Sequence, residues 1–281
     1  GNGMSLIIFA GIVVGFPTAV LTTVEQMRSG AIGLFTLIAL VLVMVAVIGA
    51  VVFIERGHRR VVVQYAKRVV GRRMYGGSST HIPLKVNTGG VIPVIFASSI
   101  IAMPATAATA FPVGGWLQSI TDQLQNGMPF YYLLFIGGII FFAYFYTAII
   151  FNPDDVAENM RKHGGFIPGI RPGKRTAEHI DTILTRITFV GAIYLALVAV
   201  MPDLMITGFR ADAVPVIGDS LDAMLPGFIT NGLGVTFYFG GTSLLIIVGV
   251  SMDTVQQVES QLIMRHYDGF MKKTRIKGRR G

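Results

Sequence analysis

Apolar residues in this chain run in long stretches instead of alternating with polar ones. Six stretches, at roughly 5–21, 31–54, 91–111, 130–151, 183–201 and 235–252, approach or exceed the length that crosses a bilayer, about 20 helical residues. The first is the shortest and carries Gly11, Gly15 and Pro17. The last opens just after Gly234 with Phe237-Tyr238-Phe239, an aromatic group suited to a membrane interface. None keeps the polar face that a helix on a soluble domain shows to water. The pattern predicts an all-α membrane protein with six transmembrane helices.

The polar gaps between these stretches are unequal. Of 23 Lys and Arg, all but Arg28 and Arg210 fall in alternate gaps. One block holds Arg56, Arg59, Arg60, Lys67, Arg68, Arg72, Arg73 and Lys85; the next holds Arg161, Lys162, Arg171, Lys174, Arg175 and Arg186. The last holds Arg265, Lys272, Lys273, Arg275, Lys277, Arg279 and Arg280. Loops rich in Lys and Arg stay inside, so this pattern predicts cytoplasmic loops at 55–90 and 152–182 and a cytoplasmic tail at 259–281. The remaining loops carry Glu25, Asp122, Asp203, Asp212, Asp219 and Asp222 and face outward.

Composition narrows the function classes. The chain is 52% hydrophobic and 14% charged, against about 25% charged in a soluble domain. Its net charge of +8 is confined to loops, which suits anionic lipid headgroups, an acidic protein surface or ribosomal RNA. There is no cysteine, hence no disulfide framework and no thiolate nucleophile. His58, His81, His163, His179 and His266 are scattered without metal-ligand spacing, and neither a GxxxxGK[ST] loop nor a GxSxG elbow occurs. Asp154-Asp155 after Asn152-Pro153 reads as a helix start. No catalytic residue, metal site or cofactor is expected. Gly1-Asn2-Gly3-Met4 leads into an apolar stretch without a basic n-region, which reads as an internal piece of a longer protein.

The spans themselves are poor in ionisable groups. Arg186, Asp253 and Glu259 sit at span ends, where water is near. A secondary transporter keeps such groups near the midplane, so half of a transporter remains the alternative only if they lie in other spans. Small residues are dense at Gly33, Gly49, Ala97, Ser98, Ser99, Gly137 and Gly138, and allow close helix packing. Pro17, Pro93 and Pro104 suit either helices that line a cavity or simply kinked ones.

Several strings, read in order, carry a resemblance. They are Gly1-Asn2-Gly3, Glu55-Arg56-Gly57, His81-Ile82-Pro83-Leu84-Lys85-Val86-Asn87 and Val91-Ile92-Pro93, then Phe151-Asn152-Pro153, Pro168-Gly169-Ile170-Arg171-Pro172-Gly173 and Phe237-Tyr238-Phe239-Gly240-Gly241-Thr242-Ser243. Together they resemble the SecY family, the channel subunits of the bacterial Sec protein translocase. By that resemblance the six spans are the fifth to tenth of a ten-helix pseudosymmetric channel, the C-terminal half plus one helix.

The resemblance implies a non-enzymatic channel of the bacterial inner membrane. It would pass unfolded secretory polypeptides across the membrane and release transmembrane segments sideways into lipid. It implies a pore ring at Met4, Ile8, Ile95 and Ile246, and lateral-gate positions at Asn87 and Ser99 on the side formed by the third and fourth spans. It further implies contacts to SecA or the ribosome at Arg60, Lys67, Arg72, Arg73 and Arg171. Implied partners are SecE, SecG, SecA, the ribosome, signal sequences and nascent membrane proteins, with anionic lipids around them.

Overall fold

A computed structural model describes residues 3–30, 33–65, 68–70, 73–75, 79–110, 116–210, 230 and 241–271. The chain begins with α1 (Gly3–Val14) and α2 (Phe16–Arg28), which continue each other across Gly15. Pro17 has no N–H and so interrupts the ladder there. The expected first span ended near residue 21, yet helix continues to Arg28. Its threonines explain this: the Thr22 hydroxyl donates to the Ala19 carbonyl at 2.9 Å and Thr23 to the same carbonyl at 2.8 Å. Polar side chains that bond back onto their own helix need no water.

Next come α3 (Leu34–Glu55), α4 (Ile92–Ala110), α5 (Trp116–Gln123) and α6 (Pro129–Ile150). Then follow α7 (Pro153–Lys162), α8 (Lys174–Thr207) and α9 (Gly241–Met271). Met128 is extended and Pro129 occupies the first turn of α6, an arrangement that starts a helix without wasting a backbone donor. Among the described residues, four helical segments are long and apolar enough to span a membrane: Leu6–Arg28, Leu34–Glu55, Pro129–Lys162 and Lys174–Leu204. Ile92–Pro104 is a shorter apolar helix. The stretch expected at 235–252 is described from Gly241 onward, where it forms the start of α9.

Two helices outrun their apolar stretches. The 34 residues of α8 extend for about 50 Å, well beyond a hydrocarbon core of about 30 Å. Its first turns, expected within the loop at 152–182, therefore stand clear of the apolar region. Likewise α9 carries helix to Met271, through part of the expected tail.

The main core lies where α4, α6, α8 and α9 meet, with α3 and α1 packed on α9. Val51, Val94, Phe135, Ile139, Leu195, Ala199 and Leu245 are fully enclosed there. Small residues permit the approaches: a Cβ on Gly138 would lie 3.3 Å from that of Ala97, joining α6 to α4. By contrast α1 and α3 turn Ile7, Val14, Phe35 and Phe53 outward, as lipid-facing helices do.

Beyond the helices lies a small sheet. Strand β1 (His58–Tyr65) pairs antiparallel with β4 (Ser79–Lys85), in the register Val61↔Ile82 and Val63↔Thr80. Between them β2 (Arg68–Val70) pairs with β3 (Arg73–Tyr75). A two-residue strand, β5 (Gly165–Phe166), joins the other edge of β1. The sequence alternates across Val61-Val62-Val63-Gln64-Tyr65 and reads as one arm of a hairpin with its return at Gly76-Gly77-Ser78-Ser79; Val61 and Val63 are buried, with Val62 and Gln64 exposed. Gly76, Gly77 and Ser78 lie outside the described residues.

Candidate functional site

Helix α1 places Met4 and Ile8 one turn apart on the same face. Ile246, on α9, is buried in the main core, and Ile8 and Ile95 pack against that core from α1 and α4. Three of the four ring candidates thus lie in or against the main apolar core, which they share with Ile12, Ile48, Ile101 and Ile139. Such a cluster resists wetting without any charge. The Ile95 carbonyl also accepts from two hydroxyls, Ser98 at 2.9 Å and Ser99 at 2.7 Å. Bonds of this kind satisfy polar groups within the helix and favour a local bend.

Asn87 lies between β4 and α4 and is buried. Its amide nitrogen donates to the Glu55 carboxylate at the end of α3, and to the Gly90 carbonyl at 3.1 Å. The side chain therefore fastens the entry of α4 to the end of α3. On the far side, α8 presses on the same segment: a Cβ on Gly191 would lie 2.5 Å from the Val86 carbonyl oxygen. The Lys85 ammonium reaches across to Gln256 of α9 at 3.1 Å. Glu55, Gly191 and Gln256 were not legible as parts of this junction. The only sign of it was the string Glu55-Arg56-Gly57. Ser99, the other gate candidate, is exposed on α4 with its hydroxyl turned to its own helix.

The basic end is a second packed unit. Val61, Val63, Leu84, Met160, Ile167 and Ile180 form a core separate from the first, closed by Tyr65, Phe151 and Ile170. It joins the sheet, α7, the segment after β5 and the start of α8. Asn152 caps α7 by accepting from the Asp154 amide at 3.1 Å, and its own amide donates to Asp155 at 2.9 Å. Asp154 and Asp155 thus take the helix-start role expected of them. Among the described residues no group of His, Asp and Glu is arranged to hold a metal.

On this unit Arg60 is exposed on β1, where its Nε donates to His58 at 3.3 Å. Arg73 lies in β3, and Lys67 and Arg72 fall outside the described residues. Arg171 is exposed on a turn whose glycines, Gly169 and Gly173, have φ of 82° and 113°. Those angles are costly for any residue with a Cβ. The turn is held at both ends: the Ile170 amide donates to Ile167 at 3.1 Å, and the Thr176 hydroxyl donates to the Arg171 carbonyl at 2.9 Å.

A mostly helical fold with long apolar helices, an apolar core and a basic end built around a small sheet agree with the resemblance of the strings. The SecY family matches residues 1–255. The chain belongs to the SecY family. It is 47% identical over 281 residues to the protein translocase subunit SecY of Escherichia coli K12, covering 99% of this chain and 58% of that protein. The SecY of Pseudomonas aeruginosa PAO1 gives the same identity and coverage. That of Streptomyces galbus is 47% identical over 276 residues, 97% of this chain and 57% of the relative. The chain thus spans somewhat over half the length of these relatives. A solved structure concerned with the SecY plug domain and the closed translocation channel aligns with TM-score 0.59 at 18% identity. It covers 94% of this chain and 60% of that one. A solved protein-conducting channel aligns with the same values. These structures establish a shared fold, while the family match and the apolar helices make this a multi-pass membrane protein.

Proposed function

We propose that this chain supplies the C-terminal spans of a polypeptide-conducting channel in the bacterial inner membrane. Ile8, Ile95 and Ile246, with Met4, form its share of the waist that closes around a moving chain. The observation that carries this is the SecY-family match over residues 1–255, with Ile8, Ile95 and Ile246 lying in or against the main apolar core from α1, α4 and α9. The channel is not itself an enzyme: SecA or the ribosome drives transport, SecE clamps the halves and SecG assists. Unfolded secretory polypeptides pass through it, and signal sequences and nascent transmembrane segments leave sideways past Asn87 and Ser99. The basic loops are cytoplasmic and surrounded by anionic lipid, and Arg60, Lys67, Arg72, Arg73 and Arg171 meet the motor or ribosome. Membership of this family leaves the transporter-half alternative without support.

Polar substitution at the waist tests this function. In the full-length channel, Ile95→Asn or Ile246→Asn introduces an amide that attracts water into the apolar cluster. Closed-state ion leakage is expected to rise, and precursors with defective signal sequences to pass more readily. Unchanged conductance and unchanged selectivity in both variants would overturn the waist assignment.

A further inference from the structure

We propose that Thr176 is the positioning residue for Arg171, its buried hydroxyl fixing the turn from which Arg171 meets the translocation motor. This rests on the motor-contact role proposed above for Arg171. Thr176 is 1% exposed, yet its hydroxyl serves no partner in the core. It reaches back five residues to the Arg171 carbonyl. The first turn of α8 already supplies bonds from the Thr176 and Ala177 amides to the Gly173 carbonyl, at 2.9 and 3.2 Å. The hydroxyl bond is therefore additional to what starting the helix requires.

The turn needs such a tether. A Cβ on Gly169 or Gly173 would meet nothing within 4 Å, so no surrounding wall confines the backbone at either glycine. Glycine leaves the backbone there freer than any other residue would. On the N-terminal side, the buried Ile167 and the packed Ile170 anchor the turn to the second core. On the C-terminal side, the Thr176 hydroxyl ties the turn to the first turn of α8. Between these anchors Arg171 projects, exposed, and no described residue forms an ion pair with it. A guanidinium recognises a carboxylate through two parallel bonds, so the direction of its backbone matters as much as its charge. Losing the tether would leave the charge in place but spread its direction.

The test uses the full-length channel with its partner subunits in proteoliposomes, read by motor-driven translocation and by translocation-stimulated ATP hydrolysis. Thr176→Val keeps the shape of the side chain and removes the donor. Both rates should fall about three- to tenfold, the scale of one lost hydrogen bond. Thr176→Ser, which keeps the donor, should restore most of the rate. Adding Thr176→Val to Arg171→Glu should cause no further loss, because the hydroxyl acts only through Arg171. If Thr176→Val fails to assemble, the smaller Thr176→Ala takes its place. Wild-type rates for Thr176→Val beside an impaired Arg171→Glu would overturn the positioning role alone, as would a further loss in the double variant. A wild-type rate for Arg171→Glu would instead overturn the motor contact on which it depends.

Discussion

Gly191 and Gly137 are both helical glycines, and their surroundings predict opposite responses to alanine. At Gly191 the added methyl would meet the Val86 carbonyl oxygen at 2.5 Å, a backbone atom that cannot swing aside. At Gly137 it would meet nothing within 4 Å. Gly191→Ala should therefore cost about 1–3 kcal/mol, the range for overpacking a tight contact. Gly137→Ala should be neutral or slightly stabilising, since alanine suits a helix better than glycine. Thermal unfolding of the purified full-length protein in detergent checks both. Both glycines lie within apolar stretches, and the sequence has no means to separate them, because the difference lies in a chain segment about a hundred residues away from Gly191. The same holds for Asn87, whose resemblance-based gate role needed a polar partner elsewhere, while its amide is bonded to Glu55 and Gly90. Glu55→Ala should leave the buried amide short of an acceptor and cost about 1–3 kcal/mol. Glu55→Gln, which keeps a carbonyl in place, should cost less in the same unfolding measurement.

Among the elements, the hairpin was the easiest to read and β5 the hardest. Alternation across Val61–Tyr65 announces a half-buried strand, and β1 and β4 pair accordingly. Two residues carry no period, so nothing about Gly165-Phe166 signals that a segment between two helices returns to the hairpin. The contact is close: a Cβ on Gly165 would lie 3.0 Å from the Tyr65 ring and 3.2 Å from Val63, so either side chain would have to shift. The pairing is directly testable in a chain with no native cysteine. Gln64 faces Phe166 across the register, and opposed antiparallel residues have Cα atoms about 4.5–5.5 Å apart, within disulfide reach. Cysteines at 64 and 166 should crosslink under mild oxidation, whereas cysteines at 60 and 166 should not. Apart from the start of α7, which Asn152-Pro153 and Asp154-Asp155 signal, helix ends were legible only where apolarity ended them. The first turns of α8 bury Thr176 and Ala177 and set Ile180 in the second core, so helix begins well before the apolar stretch does. A hydropathy pattern records only the part that lipid would surround.

At the scale of the whole molecule, the alternating basic gaps predict one orientation. Single cysteines in the segments 56–80 and 154–176, or beyond 265, should react with impermeant reagents from the cytoplasm, and one near Asp219 from the outside. The reverse pattern would contradict it. The general membrane architecture was readable from apolar length and charge asymmetry, because both express the cost of placing polar groups in lipid. The waist was not, since Ile8, Ile95 and Ile246 are chemically like the many isoleucines around them. The family resemblance alone sets them apart, because the apolar core they share also takes in Ile12, Ile48, Ile101 and Ile139. The most direct measurement is photocrosslinking to a precursor arrested midway through the full-length channel. The probe is placed in turn at Ile95 and Ile246, and for comparison at Leu197 and Phe141, which are exposed on the apolar faces of α8 and α6. A waist formed here predicts crosslinks to the moving chain at 95 and 246 and none at 197 and 141. Crosslinks confined to 197 and 141, or equal at all four, would contradict it.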